Sequence, residues 1–309
     1  MKQTLVDSLI RFANNNHNLY LMTGDLGYPH LTKFAKLFPK QYLNMGIAEQ
    51  NMISVSAGLA LSGKIVFIYS IIPFATMRCF EQIRNDLCYH KLNVKIVGFG
   101  TGLSYATHGI THFGTEDVAV IRSLPNMTIL SPANIVETTQ CLKIAYRHPG
   151  PVYIRLGKGQ NDSIYPNKLT FHLGEGILVN DGRDVTIITT GTILNKAYEV
   201  TKILRKKNIS TRLISMPSLK TIDKKNILAS AKQTKIIVTL EEHSLIGGLG
   251  SIVSEILIDE NINIRLVRLG LPDQYPEKVG SQEYMLEKAG LSVSQITNTI
   301  IKHIRSLAN

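Results

Sequence analysis

The chain has 309 residues and a mass of 34.3 kDa, a length that suits two α/β domains of about 150 residues each. It carries 34 Lys and Arg against 23 Asp and Glu, for a net charge of +11, and its hydrophobic content of 44% excludes a disordered or fibrous protein. No apolar run approaches the ~20 residues of a membrane-spanning helix, and residues 1–16 do not resemble a signal peptide, so we expect a soluble, cytoplasmic protein.

Apolar segments rich in β-branched residues alternate with helical patterns along the chain. Strands are predicted at 64–72, 94–100, 127–130, 152–156, 184–190, 211–215, 235–240 and 264–269. Helices are predicted between them at 47–61, 76–89, 193–207 and 250–258. Buried strands alternating with helices specify a mostly parallel sheet that is covered on both faces. We therefore predict an α/β fold of two successive domains, each a mostly parallel sheet flanked by helices.

A polar stretch without a strong hydrophobic period follows residue 156 and separates the two halves. It divides the chain into a first domain over 1–160, a linker over 161–180 and a second domain over 181–309.

The positive charge is concentrated in residues 201–240, which contain ten Lys and Arg against Asp223 alone. Such a stretch suits a nucleic-acid surface, a solvated lysine-rich surface, phosphorylated substrates or an acidic partner. The stretch has no aromatic residue that could stack on bases, so we do not expect nucleic acid to be the partner.

The helical pattern at 47–61 has only one charged residue, Glu49. The other positions are apolar, small or neutral, which predicts a helix buried nearly all round. A buried ionised carboxylate is costly without a partner, although the dipole at the start of a helix favours its charge. Glu49 is therefore either a structural carboxylate or one reserved for an N–H group of a ligand.

His108 and His112 lie in a glycine-rich loop after the predicted strand at 94–100. As zinc ligands they would require a helix, which Gly109 disfavours, and the glutamate of a metalloprotease signature is missing, so no metal site is predicted. Loop histidines after a strand suit substrate contact or proton transfer, and exposed polar loop residues are the alternative. Arg155, at the end of an apolar strand, suits either a phosphate or carboxylate clamp or a structural ion pair.

Several long motifs then occur in order. They are TGDLGYP (23–29), NMGIAEQNM (44–52), FATMRCFEQIRND (74–86), LNVKIVGFGTGLSY (92–105), GITHFGTEDVAVIRSLPNMTILSPAN (109–134) and GPVYIRLGKG (150–159). Together they make residues 24–159 resemble the pyrimidine-binding domain of transketolases. Residues 181–309 resemble the C-terminal domain of the same family, through TIITTGT (186–192) and LEEHSLIGGLGS (240–251).

This resemblance implies a thiamine-diphosphate enzyme and assigns cofactor roles to four residues. Glu49 matches the glutamate that hydrogen-bonds N1′ of the aminopyrimidine ring and thereby promotes its imino tautomer. Phe74 corresponds to the aromatic ring that stacks on the aminopyrimidine. Ile71 stands where the family often has a second aromatic residue. Asp25 falls in a motif near the cofactor and the dimer contact, where it has a supporting role.

The resemblance also implies substrate contacts. His112 matches the histidine that faces the substrate, and Arg155 matches the arginine that clamps the phosphorylated end of sugars. His108 stands where full-length transketolases carry an aspartate that binds a sugar hydroxyl. An imidazole can donate where that carboxylate only accepts, so the family's stereochemical preference does not transfer.

The Gly-Asp-Gly…Asn motif that binds diphosphate and Mg²⁺ in transketolases is missing from the sequence. We therefore expect the C-terminal subunit of a split transketolase, which transfers a two-carbon ketol unit between sugars or sugar phosphates. A partner subunit would bind the diphosphate and Mg²⁺, and the family implies an α2β2 heterotetramer with no membrane attachment.

Two alternatives remain open at this point. One is another thiamine enzyme subunit, of the deoxyxylulose-phosphate synthase type or the 2-oxoacid dehydrogenase beta type. The other is a non-catalytic binding or scaffold subunit that uses the basic stretch at 201–240.

Overall fold

The fold is described by a computed structural model of residues 1–159, 164–165 and 169–307. The strands within these residues are β1 Leu19–Thr23, β2 Tyr42–Asn44, β3 Ile65–Ile71, β4 Val94–Phe99, β5 Thr128–Leu130, β6 Val152–Leu156, β7 Ile177–Asn180, β8 Val185–Thr189, β9 Thr211–Ser215, β10 Ser218–Lys220, β11 Ile236–Ser244 and β12 Arg265–Leu271. The α-helices are α1 Lys2–Asn14, α2 Thr32–Leu37, α3 Glu49–Leu61, α4 Ile72–Ala75, α5 Phe80–Gln82, α6 Asp117–Arg122, α7 Ile135–Arg147, α8 Leu194–Lys206, α9 Lys224–Gln233, α10 Leu249–Asp259, α11 Gln282–Lys288 and α12 Val293–Arg305.

The described strands form two sheets, ordered β10-β5-β6-β4-β3-β1-β2 and β12-β11-β8-β9-β7. All neighbouring strands are parallel except the edge pairs β10–β5 and β7–β9, which are antiparallel. The inner strands β4, β6, β8 and β9 are buried along their whole length, as expected for parallel strands with helices on both faces. The predicted fold class, α/β with two mostly parallel sheets, is thus confirmed.

The two halves of the chain share their core. Strand β10 belongs to the second half of the sequence but pairs with β5 in the first sheet, where Ser218 lies opposite Leu130. Each of the two hydrophobic clusters also contains side chains from both sheets. Strand β7 lies inside the predicted linker, of which residues 161–163 and 166–168 are outside the described residues, as is residue 160 of the first predicted domain. The domain division remains a prediction.

Two predicted helices differ from the structure. Helix α3 is not buried all round in the single chain, because Gln50, Asn51, Ser54, Gly58 and Leu61 are exposed. An uncharged helix face is therefore open on this chain.

The helix predicted at 76–89 is instead the short α5 followed by a π-helix, Ile83–Cys88. Hydrophobic spacing does not distinguish these backbone forms, because both bury one side of the segment. None of the described helices has the length and apolar character needed to cross a membrane.

Candidate active site

The side chains implicated by the sequence lie mostly at one edge of the seven-stranded sheet. This edge is formed by the carboxyl ends of the parallel strands β1, β3, β4 and β6. Gly24 follows β1, helix α4 follows β3, and Lys158 follows β6. Strand β4 is followed by residues 102–114, which carry His108 and His112 and are called the histidine loop below. In doubly wound sheets ligands bind at this edge, so topology alone makes it the candidate site.

Glu49 is the first residue of α3, and only 1% of it is exposed. Its two carboxylate oxygens have different partners. Arg78 donates from Nη1 to Oε2 at 2.7 Å, and the buried hydroxyl of Ser70 donates to Oε1 at 3.0 Å. The position in the first helical turn adds a favourable dipole. The buried carboxylate is thus compensated, and its cationic partner, with 41% of its side chain exposed, reaches it from the surface.

Gly24 leaves space for this carboxylate at the end of β1. A Cβ atom at residue 24 would lie 3.1 Å from Oε1 of Glu49 and 3.2 Å from its carboxyl carbon. These distances are shorter than ordinary van der Waals contact between such atoms. A larger residue there would push against the Glu49 side chain, so the glycine and the glutamate form one structural unit.

Phe74 on α4 connects Glu49 with the histidine loop. The guanidinium carbon of Arg78 lies 4.2 Å from the centre of the Phe74 ring, within the range of a cation–π contact. The ring of His112 meets Phe74 edge-on, with the ring centres 5.3 Å apart. Since Arg78 also holds Glu49, the structure brings Glu49, Phe74 and His112 into one contiguous group.

His108 and His112 lie on two successive 3-10 turns, Ala106–His108 and Ile110–His112, separated by Gly109. Their ring centres are 5.1 Å apart, and Tyr105 lies beside both rings. Burial, and secondly the neighbouring His108, lowers the pKa of His112. His112 is therefore neutral over a wider pH range than an isolated histidine, and a neutral imidazole can both accept and donate a proton.

Asp25 and Ile71 lie at the ends of β1 and β3. Asp25 is exposed, with a left-handed backbone (φ 60°), and its carboxylate accepts a hydrogen bond from the Asn44 side chain at 2.9 Å. Its backbone N–H donates to Oδ1 of the same Asn44 at 3.0 Å. Asp25 thus joins the ends of β1 and β2 near Gly24. Ile71 is half-buried and directly precedes α4.

Arg155 does not fit the clamp role expected from the sequence. It is 1% exposed, and its Nε donates to Oδ2 of Asp117 at 2.7 Å. Its Nη2 donates to the backbone oxygens of Gly114 and Glu242, at 2.6 and 3.1 Å. A substrate anion would have to displace a buried ion pair to reach this guanidinium, which is energetically costly. The geometry supports the structural ion pair that the sequence left open.

Two lysines that sequence reasoning missed lie close to the histidine loop. Lys2 donates to the hydroxyl of Tyr105 at 3.3 Å and lies 4.2 Å from the centre of the Phe99 ring. The exposed Lys158 lies 5.3 Å from the centre of the Tyr105 ring. Lys158 stands in the quoted motif GPVYIRLGKG, so a signal existed for it. Lys2 is more than 100 residues from Tyr105, and no sequence pattern indicates that contact.

The described residues contain no group of three or more His, Cys, Asp or Glu side chains that could hold a metal ion. A groove of about 820 Å³ is lined by Ile110 and Phe113 of the histidine loop and by residues 272–278 of the second half.

Comparison with known proteins identifies the family. Residues 1–162 match the transketolase pyrimidine binding domain, and residues 174–296 match the transketolase C-terminal domain. The chain belongs to the transketolase family. Some curated relatives are matched over nearly their whole length, whereas relatives named 1-deoxy-D-xylulose-5-phosphate synthase are matched over less than half of theirs.

Two transketolase relatives match nearly end to end. The chain is 36% identical over 308 residues to a putative transketolase C-terminal section of Methanocaldococcus jannaschii, covering 99% of this chain and 96% of the relative. It is 37% identical over 296 residues to one subunit of the apulose-4-phosphate transketolase of Phocaeicola vulgatus, covering 94% of each. A solved structure described as a split gene transketolase, inactive beta4 tetramer, superposes with a TM-score of 0.87 at 39% identity, covering 98% of this chain and 97% of that one.

Proposed function

We propose that this chain is the C-terminal subunit of a split, thiamine-diphosphate-dependent transketolase that transfers a two-carbon ketol unit between sugars or sugar phosphates. The observation that carries the proposal is the contiguous group of Glu49, Phe74 and His112 at the carboxyl edge of the sheet. These are the three residues to which the family resemblance assigns the N1′ carboxylate, the stacking ring and the substrate-facing histidine. The relatives named as a transketolase C-terminal section and as one transketolase subunit support it.

The residues present fit the aminopyrimidine end of the cofactor. Glu49 is a buried carboxylate that packs against the small Gly24, its cationic partner Arg78 reaches it from the surface, and its acceptor oxygens suit a ring N–H. Phe74 offers a half-buried aromatic face beside it. When bound, thiamine diphosphate supplies a carbanion that accepts and donates the ketol unit.

The roles of the chain's own residues follow from their positions. Glu49 holds the proton at N1′, and burial keeps water away from this proton. His112, assisted by His108, hydrogen-bonds substrate oxygens and transfers protons to and from them, as its lowered pKa allows. Lys2 and Lys158 place positive charge beside the histidine loop, which suits the phosphate of a sugar phosphate. They take the anion-binding role that Arg155 cannot fill.

The proposal includes a partner subunit that binds the diphosphate and Mg²⁺, within an α2β2 assembly. The described residues offer no metal-binding cluster of their own. The open face of α3 starts at Gln50, next to the buried Glu49, and carries no charge, and charged residues are depleted at the centres of protein interfaces. The structural neighbour described as an inactive beta4 tetramer supports assembly between copies of such a chain. The cytoplasmic location stays a prediction.

Glu49→Gln in the reconstituted two-subunit complex tests the function. Turnover of a phosphorylated ketose with an aldose acceptor should fall by about 10²–10⁴-fold, because an amide cannot hold the proton at N1′ as a carboxylate does. Glu199→Gln, on the exposed side of α8, is the matched control and should retain wild-type turnover. Unchanged turnover of the Glu49 variant would refute its role.

Three further outcomes would contradict the proposal. The first is ketol transfer by the isolated chain at the rate of the complex. The second is consumption of pyruvate with release of CO₂ in place of ketol transfer, as expected of the synthase or dehydrogenase type. The third is an inactive complex whose nucleic-acid binding is lost on Lys206→Glu and Lys207→Glu, which would favour a scaffold subunit.

A further inference from the structure

The loop that carries both histidines is closed at its base. The backbone N–H of Gly102 donates to the oxygen of Gly114 at 2.8 Å, and the N–H of Gly114 donates back at 3.0 Å. Arg155 adds a hydrogen bond to the Gly114 oxygen. The positions of His108 and His112 therefore depend on what holds residues 102–114.

Glu242, at the end of β11 in the second sheet, contacts this base directly. Its Oε1 accepts a hydrogen bond from the backbone N–H of Leu103 at 2.7 Å, although the two residues are 139 apart in sequence. Glu242 is only 4% exposed, and Gln282 on α11 donates to both of its oxygens, at 2.8 and 3.1 Å. The carboxylate thus connects the start of the histidine loop with the C-terminal part of the chain. Hydrogen bonds from a backbone N–H to a buried carboxylate are among the stronger ones in proteins.

Gly102 shows how closely the loop follows this glutamate. Its backbone is left-handed (φ 53°), and a Cβ atom there would lie 2.3 Å from Cγ of Glu242. No side chain fits at that distance, and the left-handed backbone also favours glycine. The sequence thus has a glycine where the loop must pass against Glu242.

The second half of the chain also lies close to the middle of the loop. Helix α11, which carries Gln282, packs near the 3-10 turn Ala106–His108. The C-terminal part therefore meets the loop at its base, through the buried hydrogen bond at Leu103, and beside His108. The hydrogen bond at Leu103 is the buried, charge-assisted one of these two contacts.

We propose that Glu242 is a positioning residue that fixes the histidine loop, so that the C-terminal half of the chain determines how substrate is held. The proposal rests on the proposed function of His108 and His112. Displacement of a substrate-positioning group by about 1 Å can cost 10²-fold in rate, so one buried hydrogen bond at the loop base is sufficient to matter. Glu242 itself does not contact the substrate.

The neighbouring Glu241 provides a matched control. It is 1% exposed and precedes Glu242 on the same strand. Its oxygens accept the backbone N–H groups of Leu249 and Gly250, both at 2.7 Å, at the start of α10. Within the described residues it makes no hydrogen bond to the histidine loop. Replacing either glutamate therefore removes a buried carboxylate, but only one replacement releases the loop.

The experiment compares Glu242→Leu, Glu242→Gln and Glu241→Leu in the two-subunit complex. We expect Glu242→Leu to speed amide hydrogen exchange in residues 103–113 about tenfold, because it leaves the buried N–H of Leu103 without an acceptor. The KM for fructose 6-phosphate should rise several-fold while the Kd for thiamine diphosphate stays unchanged. Glu242→Gln keeps a neutral acceptor and should give an intermediate result. Glu241→Leu should speed exchange at the start of α10 and leave the loop as in the wild type.

Equal loop exchange in Glu242→Leu and Glu241→Leu would overturn the proposal, as would an equal rise in KM for both. If Glu242→Leu does not fold, Glu242→Gln decides: loop exchange as in the wild type overturns the proposal, and faster exchange supports it. Absence of ketol transfer by the wild-type complex would count against the proposed function. The exchange measurement does not require activity, so it separates the two failures.

Discussion

Two buried charged residues of this chain, Glu49 and Arg155, differ in how their charges are compensated. Arg155 pairs with Asp117, which is 0% exposed and also accepts a hydrogen bond from Tyr153 at 2.6 Å. Glu49 pairs with Arg78, whose side chain is 41% exposed and can move without opening the core. A closed internal pair serves the fold, whereas a buried carboxylate with a partner at the surface remains available to a ligand. This contrast supports a catalytic assignment for Glu49 and a structural one for Arg155.

Asp117→Asn tests the structural assignment of Arg155. The change leaves a buried guanidinium without its closest counter-charge, so the free energy of unfolding should fall by about 3 kcal/mol. Urea denaturation of the isolated chain measures this loss. In the complex, the KM for a sugar phosphate should remain within about twofold of the wild type, because Arg155 keeps its hydrogen bond to the Gly114 oxygen at the base of the histidine loop. A stable variant with a greatly raised KM would return Arg155 to the substrate site.

The sequence could predict that Glu49 is a buried carboxylate, but it could not predict the charged partners of Glu49 and Arg155. A helical pattern with a single charged residue predicts that this residue is buried and needs a partner or a ligand. The surrounding motif, through the family resemblance, indicates a hydrogen bond to the cofactor. Asp117 lies 38 residues before Arg155, and Arg78 lies 29 residues after Glu49, so neither contact follows from local periodicity. An arginine at the end of an apolar strand is equally compatible with a clamp or an ion pair until the fold brings Asp117 beside it.

Helices α6 and α10 both begin next to β11, and two side chains of β11 accept hydrogen bonds from the first backbone N–H groups of these helices. His243 accepts from Val118 and Ala119 at the start of α6 through Nε2, at 3.2 and 3.4 Å. Glu241 does the same for α10. Burial is the main cause of both pKa shifts. It lowers the pKa of His243 to about 4 despite the charge of Asp117, and raises the pKa of Glu241 to about 7.

These two shifts predict opposite pH dependences of stability. Between pH 6.5 and 4 the unfolded chain protonates His243 and the folded chain does not, so this stabilisation is complete above pH 6.5 and is lost as the pH falls to 4. Between pH 4.5 and 7 the folded chain keeps the proton of Glu241 and the unfolded chain does not. That stabilisation is complete below pH 4.5 and is lost as the pH rises to 7.

Urea unfolding at several pH values between 5 and 7 separates the two contributions. The stability lost in His243→Gln, which keeps an acceptor but does not titrate, should increase by about 2 kcal/mol as the pH rises from 5 to 7. The stability lost in Glu241→Gln should decrease by about the same amount over this range. Asp117 and Arg155 face His243 in all three proteins, so their effect cancels in the comparison. Oε2 of Glu241 lies 3.9 Å from Nδ1 of His243, and the double variant His243→Gln with Glu241→Gln measures the coupling between the two groups. Parallel pH profiles of the three proteins would contradict the assignment.

Element types were more predictable than the edges of the sheets. Buried strands such as β6 and β9 were predicted with their observed bounds, because short, mostly apolar runs that contain β-branched residues specify strands buried on both faces. Strands β2 and β10 have only three residues each and carry no such pattern. Their existence depends on neighbours that the fold brings beside them, which local sequence does not encode.

At the scale of the whole molecule, two surfaces of different character are exposed. Basic residues of 201–240 lie on exposed parts of α8 and α9, among them Lys206, and the exposed Lys207 follows directly after α8. The other surface is the uncharged open face of α3, which runs from Gln50, next to Glu49, to Leu61, which is 69% exposed at the far end of the helix. Ile47, which is 82% exposed, lies just before the helix. Exposed apolar residues on an uncharged face indicate an interface, whereas a lysine-rich surface resists burial. The α3 face is therefore the surface on which we expect assembly.

Gly58→Arg tests assembly through this face without disturbing the single chain. Gly58 is exposed on α3, and a Cβ atom there would meet no atom within 4 Å, so an arginine fits in the isolated fold. In an assembly that buries the α3 face, the same side chain would introduce bulk and an unpaired charge, which interfaces exclude at a cost of several kcal/mol. Sedimentation should show an oligomer for the wild type and a smaller species for Gly58→Arg. Ala229→Arg, at an exposed position on α9, adds the same side chain elsewhere and should assemble normally. A monomeric wild type, or equal masses for all three proteins, would exclude the α3 face as the interface.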